Sequence, residues 1–386
     1  MLQNKLVYCR LINLVFISIF LYFSSRYSYA EHLKIDAKKY DSGVNSSIAR
    51  QGDTLVEVHK SGYFNELWYR VGVVNGNGVQ WGKSNFYDTG LNASVAIKGE
   101  TVVEVHKAKD YDLLWYRIGA LDKNSQTISW GEPIMYDAGQ YPSVAISGDI
   151  LVAVHQLTES HIDYCKNECE EHCTMHCDDQ NPANCNNYCE NECHEKCYYY
   201  YTHKLYYRTG IISDTTKTIQ WINVDYYGDG KRPSVSASGN TIIETHESAT
   251  TSDLFYKVGT LLENVILWKV TAQYDAGVRP SVSISGNLLV EMHQSQFFNR
   301  LWYHVGKLDP ITNIIKWGAS IQYDRGVKPS VALDNCSLVE VHTSDFFKSL
   351  YNNIGIVYEN NAVINWNPFL KHSDGLCMIN GLPPAR

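Results

Sequence analysis

Tyr40-Asp41-Ser42-Gly43, then Val56-Glu57-Val58-His59, then Leu67-Trp68-Tyr69-Arg70-Val71-Gly72, then Trp81-Gly82: this order of short motifs decides the fold. The first motif returns at Tyr87-Asp88-Thr89-Gly90, Tyr136-Asp137-Ala138-Gly139, Tyr274-Asp275-Ala276-Gly277 and Tyr323-Asp324-Arg325-Gly326. A degraded copy stands at Tyr227-Gly228-Asp229-Gly230. The starts lie 47, 49, 91, 47 and 49 residues apart, so one repeat carries an insertion of about forty residues. Within each repeat a Pro-Ser-Val-Ala-type run, as at Pro142 to Ala145, precedes the Val-Glu-Val-His run. The closing Trp recurs at Trp130, Trp221, Trp268, Trp317 and Trp366. These are four short β-rich runs separated by Gly, Asn, Asp and Ser, which is the grammar of a propeller blade.

Six blades are counted, beginning near residues 40, 87, 136, 227, 274 and 323. The expected fold is therefore an all-β, six-bladed β-propeller. Seven blades is the alternative, because His372-Ser373-Asp374-Gly375 looks like a strayed seventh mark. Only 15 residues remain from His372, enough for one strand. The 28 Tyr and 9 Trp agree with an all-β chain. A net charge of −8 argues against nucleic acid as a partner.

Residues 1–30 read as a signal peptide. Lys5 and Arg10 precede the 13-residue apolar run Leu11 to Phe23, and Ser28-Tyr29-Ala30 offers a cleavage site. The run is short for a membrane span, so no stable span is expected after cleavage. The expected mature chain, 31–386, is secreted and extracellular and keeps ten cysteines.

Eight of those cysteines lie in the insertion, residues 160–200, in the third repeat: Cys165, Cys169, Cys173 and Cys177, then Cys185, Cys189, Cys193 and Cys197. Spacing of four places each row along one helix face, and Asp179 to Asn184 favours a turn. The expectation is a disulfide-stapled helical hairpin, with Cys165–Cys197, Cys169–Cys193, Cys173–Cys189 and Cys177–Cys185 as the symmetric pairing. The rival is a metal site using His161, His172, His176 and His194, which the spacing and the secretory context disfavour. Cys336 and Cys377 are expected to staple the tail to the last blade.

The polar residues repeat too. Glu57 and His59 share one face of a strand, and Trp68 and Arg70 share a face of the next. The set returns as Glu104, His106, Trp115 and Arg117, and as Glu291, His293, Trp302 and His304. Repeat three has Ala153 in place of the Glu. Glu57, Trp68, Arg70, Glu104, Trp115, Arg117, Glu291 and Trp302 are the candidate ligand-binding residues. An acid and a base can fork onto sugar hydroxyls while an indole stacks on the sugar face. The competing reading is a buried polar ladder that fixes blade geometry. The Asp of each Tyr-Asp-x-Gly reads as a turn former. Aromatics in the loops between strands two and three (Tyr63, Phe64, Tyr111, Phe297, Phe298, Phe346 and Phe347) either stack on a ligand or pack between blades. No catalytic motif, metal site or cofactor loop is present, and every polar residue comes in near-equal copies. The expectation is a non-enzymatic, multivalent binder with no cofactor.

The pattern Val-Glu-Val-His, Leu-Trp-Tyr, Trp-Gly, Tyr-Asp-x-Gly, Pro-Ser-Val-Ala resembles repeats of secreted bacterial proteins, some of them insecticidal toxins. It is clearest at Val290 to Ser295 and Tyr323 to Ala332. In architecture the chain is also similar to six- and seven-bladed propeller lectins, which use an acid, an Arg and an aromatic in each blade. That resemblance implies a lectin-like protein recognising glycans or glycoproteins on cell surfaces. A toxin-like or protein-interaction module acting through the hairpin is the first alternative, and a propeller glycosidase the second. A glycosidase would need one asymmetric cluster of acids around the central channel, which the sequence does not reveal. Nothing in the sequence sets the oligomeric state.

Overall fold

The computed structural model describes residues 37–366, apart from residues 77, 161–200 and 214. The expected signal segment, the expected cysteine hairpin and Cys377 therefore lie outside the described residues. Cys336 is buried. Among the described residues there is no helix, and the strands form six antiparallel sheets.

Blade one shows the plan. The inner strand Val44–Gln51 pairs with Thr54–Lys60, which pairs with Glu66–Asn75. Gly78–Trp81 and Asn85–Thr89 then pair with different stretches of that third strand and share the outer position. In blades three and four the outer strand is continuous, as Thr218–Asp229 and Val265–Ala276. The six inner strands contact one another around a closed ring.

Each Tyr-Asp-x-Gly is thus the last strand of a blade, not the opening loop of one. The six blades stand as expected, but their phase is shifted by one strand. The physical reason is ring closure. Lys38–Ser42 pairs with Ser349–Tyr358 of blade six, which also pairs with the C-terminal strand Val363–Trp366. Strands from both ends of the described chain complete one sheet, which closes the ring of blades.

Three devices bind neighbouring blades, and all three are written in the repeat. Tyr of the first motif stacks on the closing Trp of the following blade: Tyr40 on Trp81, Tyr136 on Trp221 and Tyr227 on Trp268, with centroids 4.8, 4.8 and 5.1 Å apart. Tyr of the third strand accepts a backbone N–H from the next blade, at 3.1 Å for Tyr69 and Ile128 and for Tyr116 and Ile219. The Ser of the inner strand accepts the N–H of the next inner strand. Ser47, Ser94, Ser143, Ser234, Ser281 and Ser330 do so at 3.1–3.3 Å and close a full circle. The core consists of slabs between blades. In one of them Val56, Val58, Leu67, Tyr69 and Tyr87 of blade one meet Val95, Val102 and Ile128 of blade two.

Two glycines in the repeat answer to close approach. A Cβ on Gly90 would lie 2.5 Å from the His106 ring and 2.8 Å from the Lys107 carbonyl; one on Gly72 would lie 2.8 Å from the Trp81 ring. Gly90→Ala should therefore destabilise the fold by about 1–3 kcal/mol, as overpacking does. Urea denaturation measures it, and an unchanged midpoint would refute the close-approach reading.

Candidate functional site

The sequence pairs each Glu with an Arg, and the register agrees: Glu57 lies opposite Arg70, Glu104 opposite Arg117 and Glu291 opposite His304. Their bonds go elsewhere. Glu57, Glu104 and Glu291 are fully buried. Each holds the Nδ1 of the His two residues on, at 3.0–3.2 Å for His59, His106 and His293. Arg70 and Arg117 turn instead to Asp41 and Asp88, at 2.8 and 2.5 Å. Those aspartates also form the expected turn, since Oδ1 accepts the N–H of Ser42 or Thr89 at 2.7 Å. Trp68, Trp115 and Trp302 are half-buried, and Trp68 meets Phe86 edge-on at 5.8 Å. The eight candidate ligand-binding residues are thus brought together blade by blade, with the carboxylates closed off from solvent.

Burial alone would strip the proton from His59, His106 and His342. The adjoining Glu outweighs it and holds each imidazole above its ordinary value. Blade three shows the converse. Ala153 replaces the Glu, and both His155 Nδ1 and the Tyr136 hydroxyl are buried with no hydrogen-bond partner. Tyr227 and Tyr323, in the place of Tyr136, donate to Glu244 and Glu340 at 3.2 and 3.0 Å. Burial, aided by Arg208 and opposed by Asp137, pushes His155 down to about 4. The unfolded chain therefore binds more protons between about pH 4 and 6.5, and blade three loses stability as pH falls through that window. Ala153→Glu should raise the His155 titration midpoint above 6.5, read by NMR. A midpoint that stays near 4 would refute the role assigned to the Glu.

The six blades differ most at the axis. Two residues after each motif glycine, the inner strand bulges and one residue takes a left-handed backbone, with φ of 49–59°. Those six positions hold Asn45, Asn92, Tyr141, Arg232, Arg279 and Lys328. The residue after each strand-two His faces them: Lys60, Lys107, Gln156, Glu247, Gln294 and Thr343. Cross-blade bonds knit the two sets. Gln156, Glu247 and Gln294 accept the backbone N–H of Arg232, Arg279 and Lys328, at 3.2, 2.7 and 3.4 Å.

Three cations thus sit in successive blades against one carboxylate. The Arg232 guanidinium grips both Glu247 oxygens, at 2.9 and 2.7 Å, and lies over the Tyr141 ring at 5.3 Å. Arg279 donates to Gln294 at 2.9 Å, and Lys328 donates to Asn45. Burial first, then Arg279, Arg232 and Lys60, push the Lys328 ammonium down to about 7. Beside this group a cavity of about 320 Å³ opens between blades three and four. Tyr141, Gln156, His203 and Arg232 are among its lining. Burial, with Lys231 and Arg232, lowers His203. The signal for this cluster was in the sequence, at aligned positions where the repeat does not repeat.

The strand two–three loops open on the same face, because inner strands begin there and second strands end there. Tyr63, Phe64, Tyr111, Phe297, Phe298, Phe346 and Phe347 are 63–82% exposed. The reading that they pack between blades is corrected, since the Tyr–Trp stacks fill those spaces. The aromatics crown four consecutive blades, five, six, one and two. Residues 161–200 join the second and third strands of blade three, Ile150–Ser160 and Tyr201–Ser213.

No protein-family model and no curated protein sequence matches the chain. Solved structures match its fold. The structure of YjhT aligns at a TM-score of 0.52 and 10% identity, covering 86% of this chain and 99% of that one. Hadza microbial sialidase Hz136 aligns at 0.51 and 9% identity, covering 80% and 65%. The α-L-arabinofuranosidase Arb93A from Fusarium graminearum aligns at 0.48 and 10% identity, covering 84% and 98%. Identities this low establish the fold alone. They still correct the expectation of a non-enzymatic protein. A sialidase is among the proteins with this fold, so a repeated propeller is no argument against an enzyme.

Proposed function

We propose that the protein is a secreted propeller glycosidase that works at the axial end of its inner strands. The observation that carries this reading is the divergence of the repeats there. A catalytic group has to be unlike its copies in a repeat protein, and Tyr141, Glu247 and Lys328 are. Three cations against one carboxylate favour an acidic saccharide. Glu247 is committed to Arg232 and the Arg279 backbone, so it orients the cations. Tyr141 and His203 line the cavity and carry the proton transfers or nucleophilic attack that glycoside cleavage requires. The aromatic crown offers ring faces to more distant sugars.

The test is release of an aryl group from a panel of neutral and acidic aryl glycosides. Turnover of acidic members is expected. Tyr141→Phe should lower kcat about 100-fold or more with an unchanged melting temperature. Binding without turnover across the panel would return the protein to the glycan binders. Neither binding nor turnover would overturn both readings.

A further inference from the structure

Blade five departs from the other blades at one buried place. In blades one, two and three, the third strand sends an Arg to the Asp of the preceding motif, at 2.8, 2.5 and 2.5 Å. Blade five has His304 there. Its Nε2 lies 2.7 Å from Asp275 Oδ2, and Nε2 of His293 lies 3.5 Å from the same oxygen. One donor atom from each residue falls within 4.8 Å of the others.

The surroundings fix the imidazole tautomers. His293 Nδ1 is 3.1 Å from Glu291 Oε2, and His304 Nδ1 is 3.0 Å from the Gly318 carbonyl. Both are pure acceptors, so each Nδ1 carries a proton and each Nε2 is turned toward Asp275. Asp275 Oδ1 is occupied by the Ala276 N–H at 2.8 Å, and Ser320 donates to Oδ2 at 2.7 Å. Three donor atoms therefore converge, with a proton shared between His304 Nε2 and Asp275 Oδ2 at 2.7 Å that a divalent cation would displace. In blades one to three a guanidinium holds the place of the His304 ring. A carboxylate and a carbonyl behind the Nδ1 of two histidines form the supporting shell found around bound metals.

We propose that Asp275, His293 and His304 bind a divalent transition metal, zinc before the harder ions. Two imidazoles and one carboxylate suit zinc in type. Ligand distances of about 2.0–2.2 Å put tetrahedral donors about 3.3 Å apart. His293 already stands near that separation from Asp275, and His304 has to draw back by about half an ångström. The set leaves a fourth position open. The site is independent of the axial cluster and of the glycosidase reading.

The test uses the full chain, stripped with a chelator and then titrated with zinc by calorimetry, beside His304→Arg and His304→Asn. Arg is the residue of blades one to three, and Asn353 holds the same place in blade six. Wild type should bind one zinc more than either variant, with a dissociation constant of micromolar or tighter, and zinc should raise its melting temperature. Cobalt substitution should give a spectrum without a thiolate charge-transfer band, which separates this site from the cysteines of 161–200. Equal zinc uptake by wild type and both variants would overturn the proposal. His304 would then be an imidazolium standing in for the guanidinium.

Discussion

Glu57, Glu104 and Glu291 changed together to Gln should cost the protein its cooperative fold. Each carboxylate is fully buried and holds an imidazole. A hydrogen bond to a charged group contributes about 1.5–3 kcal/mol, and leaving its partner unsatisfied adds to the loss. The three sites lie in different blades and share no partner, so their costs add to about 5–9 kcal/mol. That equals much of the stability of an ordinary domain, about 5–15 kcal/mol. Thermal melting followed by circular dichroism measures it. A triple variant that melts like wild type but no longer binds sugar would restore the view of these residues as pockets.

Neutralising the axial cations should have the opposite effect on stability. Arg279→Gln with Lys328→Gln removes two like charges that crowd Arg232. The melting temperature without ligand should hold or rise, while KM for an acidic saccharide worsens at least tenfold, as loss of a charged contact does. The pH dependence has a definite sign. Lys328 falls from 10.5 to about 7 on folding, so the unfolded chain binds more protons between those values. The penalty of the buried ammonium is fully present below pH 7 and is shed as pH rises toward 10.5. An anionic ligand draws the proton back, so affinity should weaken as pH climbs through 7. Arg279, Arg232 and Lys60 face the same ammonium, and the first two keep their charge throughout. Affinity that ignores both pH and the double substitution would remove the axial cluster from function.

The fold was legible because a blade is a local object. Alternating runs, turn residues and a period of 47 to 49 residues are properties of the chain itself. The pairing of Glu57 with Arg70 in register was legible for the same reason: a hairpin fixes who stands opposite whom. Register does not fix bonding. Asp41, from a strand that closes another blade, takes Arg70, and the carboxylate left behind is sealed under the His ring. That outcome depends on the packing of one blade on the next, which a single repeat does not contain.

By itself the sequence determined the blade, its sixfold repetition and the strand content, because each rests on alternation and spacing within about fifty residues. Only the tertiary structure decided that Lys38–Ser42 belongs to the last blade, that the motif glycines yield to His and Trp rings, and that Arg232, Arg279 and Lys328 converge. Those facts follow from closing the ring. Closure brings residues hundreds of positions apart into contact, and it places a variable position of every repeat around a common axis.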